Sequence, residues 1–161
     1  MIRPFVVNPE VLAAIRPMRK ADVPRVAQLH KAAMGNSLWA TLGERFLRNI
    51  YRGMLKSPLF LGFVYEQDGQ IEGFIAGSED LPTLMKQVAL SSGHRLFLSA
   101  LLGISNRETV QKLLKTAQYF QASTEELGQD IKAESMFCSF TPQTRGKKIS
   151  GHINKVLFET L

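Results

Sequence analysis

Apolar and polar positions recur at strand or helix spacing along most of the chain, and the pattern divides it into elements. Residues 1–10 carry Pro4 and Pro9 and read as a loose leader. Residues 12–18 (LAAIRPM) read as a short strand, with Pro17 at its edge or end because proline has no donor for a ladder. A helix opens at Lys20-Ala21-Asp22-Val23-Pro24, with Asp22 in the cap region and Pro24 in the first turn, where its missing N–H costs nothing. Val23, Val26, Ala27, His30, Ala33 and Met34 share its inner face to about residue 33. After a break at residues 35–37, a second helix is expected over residues 42–55. Phe46, Leu47, Ile50, Tyr51, Met54 and Leu55 form its stripe, and Glu44 pairs with Arg48 one turn on. Residues 59–66 (LFLGFVYE) and 71–78 (IEGFIAGS) then form a hairpin about Gln67-Asp68-Gly69-Gln70, which carries the Asp-Gly turn signal.

The second half reads as helices followed by a strand, a loop and a last helix. Leu81, Leu84, Met85 and Val88 predict a helix from Asp80 to Ala89, extended if the pattern carries on past Ser92-Gly93 into residues 95–102 (RLFLSALL). Ser105-x-x-Glu108 is a capping box for a further helix, with Val110, Leu113, Leu114, Ala117 and Phe120 on one face. Residues 123–132 form a polar linker. Met136, Cys138 and Phe140 alternate with Phe137 and Ser139 in a short strand that stops before Pro142. Ile149, Ile153, Val156, Leu157 and Thr160 share a face of the final helix. No internal repeat or low-complexity tract interrupts this order.

Composition narrows the class. With 161 residues, 45% apolar and 21% charged, the chain has the balance of one folded domain. Its single cysteine excludes a disulfide framework, and no run approaches the ~18 apolar residues of a spanning helix. Met1-Ile2-Arg3-Pro4 lacks the apolar core and cleavage site of a signal peptide. A cytoplasmic protein with no membrane partner is expected. The net charge of +6 is uneven: residues 1–58 hold ten Lys/Arg against three Asp/Glu. That excess is spread over helices, so it reads as a solvated surface, and a nucleic-acid partner is the lesser reading.

The candidate chemistry lies between the last strand and the last helix, in Gln143-Thr144-Arg145-Gly146-Lys147-Lys148-Ile149-Ser150-Gly151. A glycine loop entering a helix offers free N–H groups and the positive end of the helix dipole, which suit a phosphate. Arg145, Lys147 and Lys148 add three cations. The P-loop spacing from Gly146 to Gly151 is present, but His152-Ile153 stand where Lys and Ser/Thr belong. The dinucleotide fingerprint fails for lack of a third glycine. His30, His94 and His152 lie far apart with no ligand pair beside them, so no metal site is expected. Cys138, in the middle of a strand, reads as a small buried side chain.

The same stretch resembles the acyl-CoA loop of the GNAT superfamily of N-acyltransferases, whose pattern is Gln/Arg-x-x-Gly-x-Gly/Ala. Phe140 to Ser150 aligns with it without a gap, Gln143 and Gly146 standing at the first and fourth positions. Lys148 replaces the second glycine, adding a charge where backbone closely approaches pyrophosphate. The opening strand and helix, and the hairpin with Gly-Phe-Ile-Ala-Gly on its second arm, are also similar to that family. The resemblance implies an α/β domain over residues 1–161, with a mixed, mainly antiparallel sheet flanked by helices and a two-helix insertion at residues 81–129. It implies acetyl transfer from acetyl-CoA, as co-substrate, to an amine acceptor. Cys138, Ser139 and Phe140 would pair through their main chain with the pantetheine arm. Gln143 belongs to the motif, and the backbone N–H groups of Arg145, Gly146, Lys147, Lys148, Ile149, Ser150 and Gly151 would hold the pyrophosphate. Glu134 is the only acid where such enzymes place a general base.

The family's later strands have no counterpart here. That departure leaves open a fragment, a site completed by another subunit, or a protein that binds acyl-CoA or a partner without catalysis. The edge exposed along residues 135–140 offers pairing to a second copy, so a homodimer is among the expectations.

Overall fold

The computed structural model describes residues 7–35, 37–103, 111, 133–144 and 146–161. Its first element corrects the reading of the leader. Pro9 starts a helix, α1 (Pro9–Ala13), and the side chain of the N-cap Asn8 accepts the Glu10 N–H at 2.9 Å. Proline at that position loses no hydrogen bond, so it begins a helix as readily as it breaks one. The strand expected over residues 12–18 contracts to β1 (Ile15–Pro17).

A 3₁₀ turn (Lys20–Asp22) leads into α2 (Val23–Ala33), with Pro24 in its first turn. The Asp22 side chain does not cap α2. It accepts the Arg19 N–H at 2.7 Å and a two-pronged contact from Arg16 at 2.7 and 3.0 Å, while Arg16 Nε reaches Glu66 at 2.7 Å. Burial alone would raise the Asp22 carboxyl; Arg16 and the Arg19 N–H outweigh it and hold the group below the usual carboxylate range.

Where one helix was expected over residues 42–55, a short α3 (Leu38–Thr41) precedes α4 (Glu44–Met54), separated at Gly43 with φ +90°. β2 (Phe60–Gln67) and β3 (Gln70–Ser78) enclose a two-residue corner in which Asp68 and Gly69 both have positive φ, 53° and 72°. That turn matches the twist of the strands it joins. α5 (Leu81–Gly103) runs unbroken through Ser92-Gly93. Gly53 on α4 admits this packing, since a Cβ there would lie 3.0 Å from Val88 and 3.2 Å from the Ser92 hydroxyl. The helix expected from Ser105 (all but Gln111) and the linker over 123–132 lie outside the described residues. β4 (Glu134–Phe140), a 3₁₀ turn (Pro142–Thr144) and α6 (Ile149–Thr160) complete the order.

The sheet runs β1-β2-β3-β4, every neighbouring pair antiparallel, so the fold is mixed α/β with helices on both faces. Phe74 and Ile75, adjacent on β3, are fully buried in different cores because successive side chains point to opposite faces. One core gathers Val23, Val26, Tyr51, Met54, Phe74 and Leu84 from α2, α4, β3 and α5. The other gathers Val11, Ile75, Ile149, Ile153 and Leu157 from α1, β3 and α6. Among the described residues β4 is an edge strand, and its C-terminal end turns directly into the glycine loop.

Candidate functional site

The ladder determines which main-chain groups β4 has to offer. Thr141 donates its N–H to the Glu72 carbonyl at 2.8 Å, and Ser139 stands opposite Phe74 two residues earlier. The alternation of an antiparallel pair turns the main-chain groups of Ser139 toward β3 and those of Cys138 and Phe140 toward the unpartnered edge. Ser139 is therefore committed twice, because its buried hydroxyl also donates to the Leu29 carbonyl at 3.1 Å. Of the three residues assigned to a pantetheine arm, Cys138 and Phe140 have main-chain groups free for one. Nearer the strand's start, Phe137 pairs with Ala76 and Ser135 with Gly77, leaving Met136 as an extra, bulged residue. A bulge of this kind bends the strand and interrupts the ladder locally.

Beyond Pro142 the chain tightens. Buried Thr144 returns its N–H and hydroxyl to the Thr141 carbonyl at 3.1 and 2.7 Å. Gly146 then takes φ +81° and Lys148 φ +54°, ψ 25°. Lys148 thus holds, as the N-cap of α6, the left-handed conformation that glycine adopts without cost and lysine does not. The Lys147 N–H is used by the Thr144 carbonyl and the Gly151 N–H by the Lys148 carbonyl, each at 3.2 Å. Among the described residues this leaves the N–H groups of Gly146, Lys148, Ile149 and Ser150 without a partner, at the positive end of a helix of 12 residues. Arg145 lies outside the described residues.

His152 braces this corner from beneath. Its ring is 1% exposed; Nε2 accepts the Asn8 N–H at 2.8 Å, and Nδ1 donates to the Lys148 carbonyl at 2.9 Å. These partners assign the Nδ1–H tautomer. No sequence signal joins His152 to Asn8, 144 positions away.

The remaining candidates are dispersed. Lys147 donates from Nζ to Gln67 at 2.9 Å, and with Gln143 it lines a 300 Å³ cleft shared with Asp68 and Glu72 of the hairpin. Those carboxylates repel a polyphosphate, so the side chains of Gln143 and Lys147 serve the hairpin side rather than the free edge of β4. Ile149 is buried in the α6 core, and Ser150 is exposed. Cys138 is half-buried on the α6 face, and burial pushes its thiol up to about 11. His30 packs in the opposite core, against Phe74 and Phe137, and so lies across the sheet from that thiol. Glu134, the first residue of β4, is exposed, and its carboxylate has no partner among the described residues. Among those residues no three His, Cys, Asp or Glu side chains gather as metal ligands, and no helix is long and apolar enough to cross a membrane.

Comparison with protein-family models, with curated proteins and with solved structures found no match to this chain.

Proposed function

We propose that the chain binds acetyl-CoA along the free edge of β4 and at the head of α6, and transfers the acetyl group to an amine, as GNAT acyltransferases do. The observation that carries this reading is the backbone of Lys148. It stands where the acyl-CoA loop has its second glycine and adopts the conformation that favours glycine, two residues after Gly146 does the same. The loop therefore keeps a double-glycine shape with a lysine in it, and the unpaired N–H groups around it suit a pyrophosphate. An order of one strand, helices, a hairpin, the inserted α5, an edge strand with a bulge and then this loop supports the same reading. Pantetheine would pair with the outward main-chain groups of Cys138 and Phe140. Glu134, acting through water, is the carboxylate available to take the amine proton.

A thermal-shift titration with acetyl-CoA tests binding. Ligand at ~100 times its dissociation constant adds about 2.7 kcal/mol, a rise on the order of 5–10 °C for a domain of this size. The Gly146→Asp variant places a carboxylate at the pyrophosphate and is expected to abolish the rise. No shift of the wild-type chain at millimolar acetyl-CoA would overturn the proposal. CoA release with spermidine or a lysine peptide tests transfer. Binding without release would favour the second reading, an acyl-CoA-binding domain without catalysis, to which Glu134, exposed and without a partner among the described residues, points.

A further inference from the structure

On the sheet face opposite α6, a cleft of 720 Å³ opens between α4 and α5. Arg45, Arg48 and Arg52 recur at three- and four-residue spacing and so share one face of α4 over about 10 Å of helix. Arg95 reaches the same cleft from α5. The one carboxylate among the described lining residues, Glu44, is taken up by Arg48. Arg45, Arg52 and Arg95 have no ion-pair partner among the described residues, and Arg48 Nε is buried without an acceptor.

Two costs are visible here. Like charges three and four residues apart destabilise the helix that carries them. A buried donor left unmet costs the desolvation of that group. A polyanion in the cleft would relieve the first, because guanidinium forks match the oxygens of phosphoryl groups. The volume is that of a small-molecule site, and no aromatic ring among the described lining residues offers a stacking platform for a nucleic-acid strand.

We propose that the α4–α5 cleft binds a small molecule bearing two or more closely spaced phosphoryl groups. Arg45, Arg52 and Arg95 hold its oxyanions. This site shares no residue with the glycine loop and stands whether or not acetyl-CoA binds there.

Isothermal titration of the full chain with inorganic tripolyphosphate, at fixed ionic strength, is the test. Tripolyphosphate is expected to bind at least tenfold more tightly than orthophosphate. An Arg45→Gln/Arg52→Gln variant, both changes at exposed positions, is expected to weaken it at least tenfold with its circular dichroism retained and its Tm no lower than wild type. Gly146→Asp is expected to leave it unchanged. ATP binding more tightly than tripolyphosphate would identify a nucleoside polyphosphate as the source of the phosphates; equal binding would identify the bare phosphate chain. Equal affinity for orthophosphate, or no effect of the double variant, would overturn the proposal. So would loss of binding in Gly146→Asp, which would put the anion at the glycine loop. Displacement of tripolyphosphate by a 20-nucleotide single strand that binds more tightly would replace it with a nucleic-acid surface.

Discussion

His30 and His152 are both buried, at 0% and 1% exposure, one in each core of the sheet, and they are accommodated in opposite ways. His30 sits among rings. Its Nδ1 meets the Tyr51 hydroxyl at 2.9 Å, Phe137 lies 4.6 Å away centre to centre, and Nε2 has no partner among the described residues. His152 has a main-chain group on each nitrogen, and those groups belong to Asn8 before α1 and Lys148 before α6. The first is a polar pair tolerated inside an apolar core; the second is a strut between two loops. A buried histidine therefore says little by itself. Its partners decide whether it belongs to the packing or to the shape of a site.

The largest expected effect comes from cutting the strut. His152→Ala removes both bonds and leaves a cavity, at a cost of about 2–4 kcal/mol in chemical denaturation. It should also reduce the acetyl-CoA thermal response, since Lys148 loses the contact that holds its carbonyl. A variant with unchanged cofactor response would break the distinction between strut and filler.

Acid separates the two sites next. Burial lowers the His30 pKa from 6.5 to about 4, so the unfolded chain takes up its proton first. Stability is then complete above pH 6.5 and falls as pH drops toward 4, by about 3 kcal/mol, with little further loss from this group below that. The His30→Leu/Tyr51→Phe variant removes the donor and the acceptor together. Its urea midpoint should lose that dependence while the acetyl-CoA response stays intact. If the wild-type slope survives in the variant, another group carries it.

The smallest effect concerns the residue that the strut holds. Asp68 and Lys148 share nearly the same positive φ, 53° and 54°, but aspartate tolerates that conformation and lysine does not. Relief of strain exceeds the added freedom of the unfolded chain for Lys148→Gly, which should gain about 0.5 kcal/mol. Asp68→Gly should gain nothing. Equal responses would mean that Lys148 bears no strain.

The β2–β3 hairpin was legible because alternation and an Asp-Gly pair both act locally. α2 was legible for a similar reason: Pro24 and the apolar spacing agree on one register. α1 was misread, since a proline at a first helical position and one that breaks a helix look alike without the cap from Asn8. The extent of α5 across Ser92-Gly93 depends on Gly53 of another helix, and local pattern cannot supply that. In the candidate site, Gly146 and the cations stood out, but the bonds that commit Ser139, Lys147 and Gly151 appear only once the ladder and the turn exist. Arg45, Arg48 and Arg52 were within reach as one helical face. Arg95 joins them only through the packing of α4 on α5.

The pairing of β3 with β4 has a kinetic consequence. β2 and β3 meet across two residues, whereas β4 reaches β3 only after the excursion between Ser78 and Glu134. Closing so long a loop costs entropy before any contact rewards it. The hairpin and the helices beside it can assemble while β4 is still unattached, so the glycine corner is completed late in folding. In the native ensemble the same edge is expected to open more readily than the central hairpin ladder. Amide exchange should therefore be faster through residues 135–140 than through the Phe63–Ile75 ladder, and a ligand seated at that corner would slow it there before anywhere else.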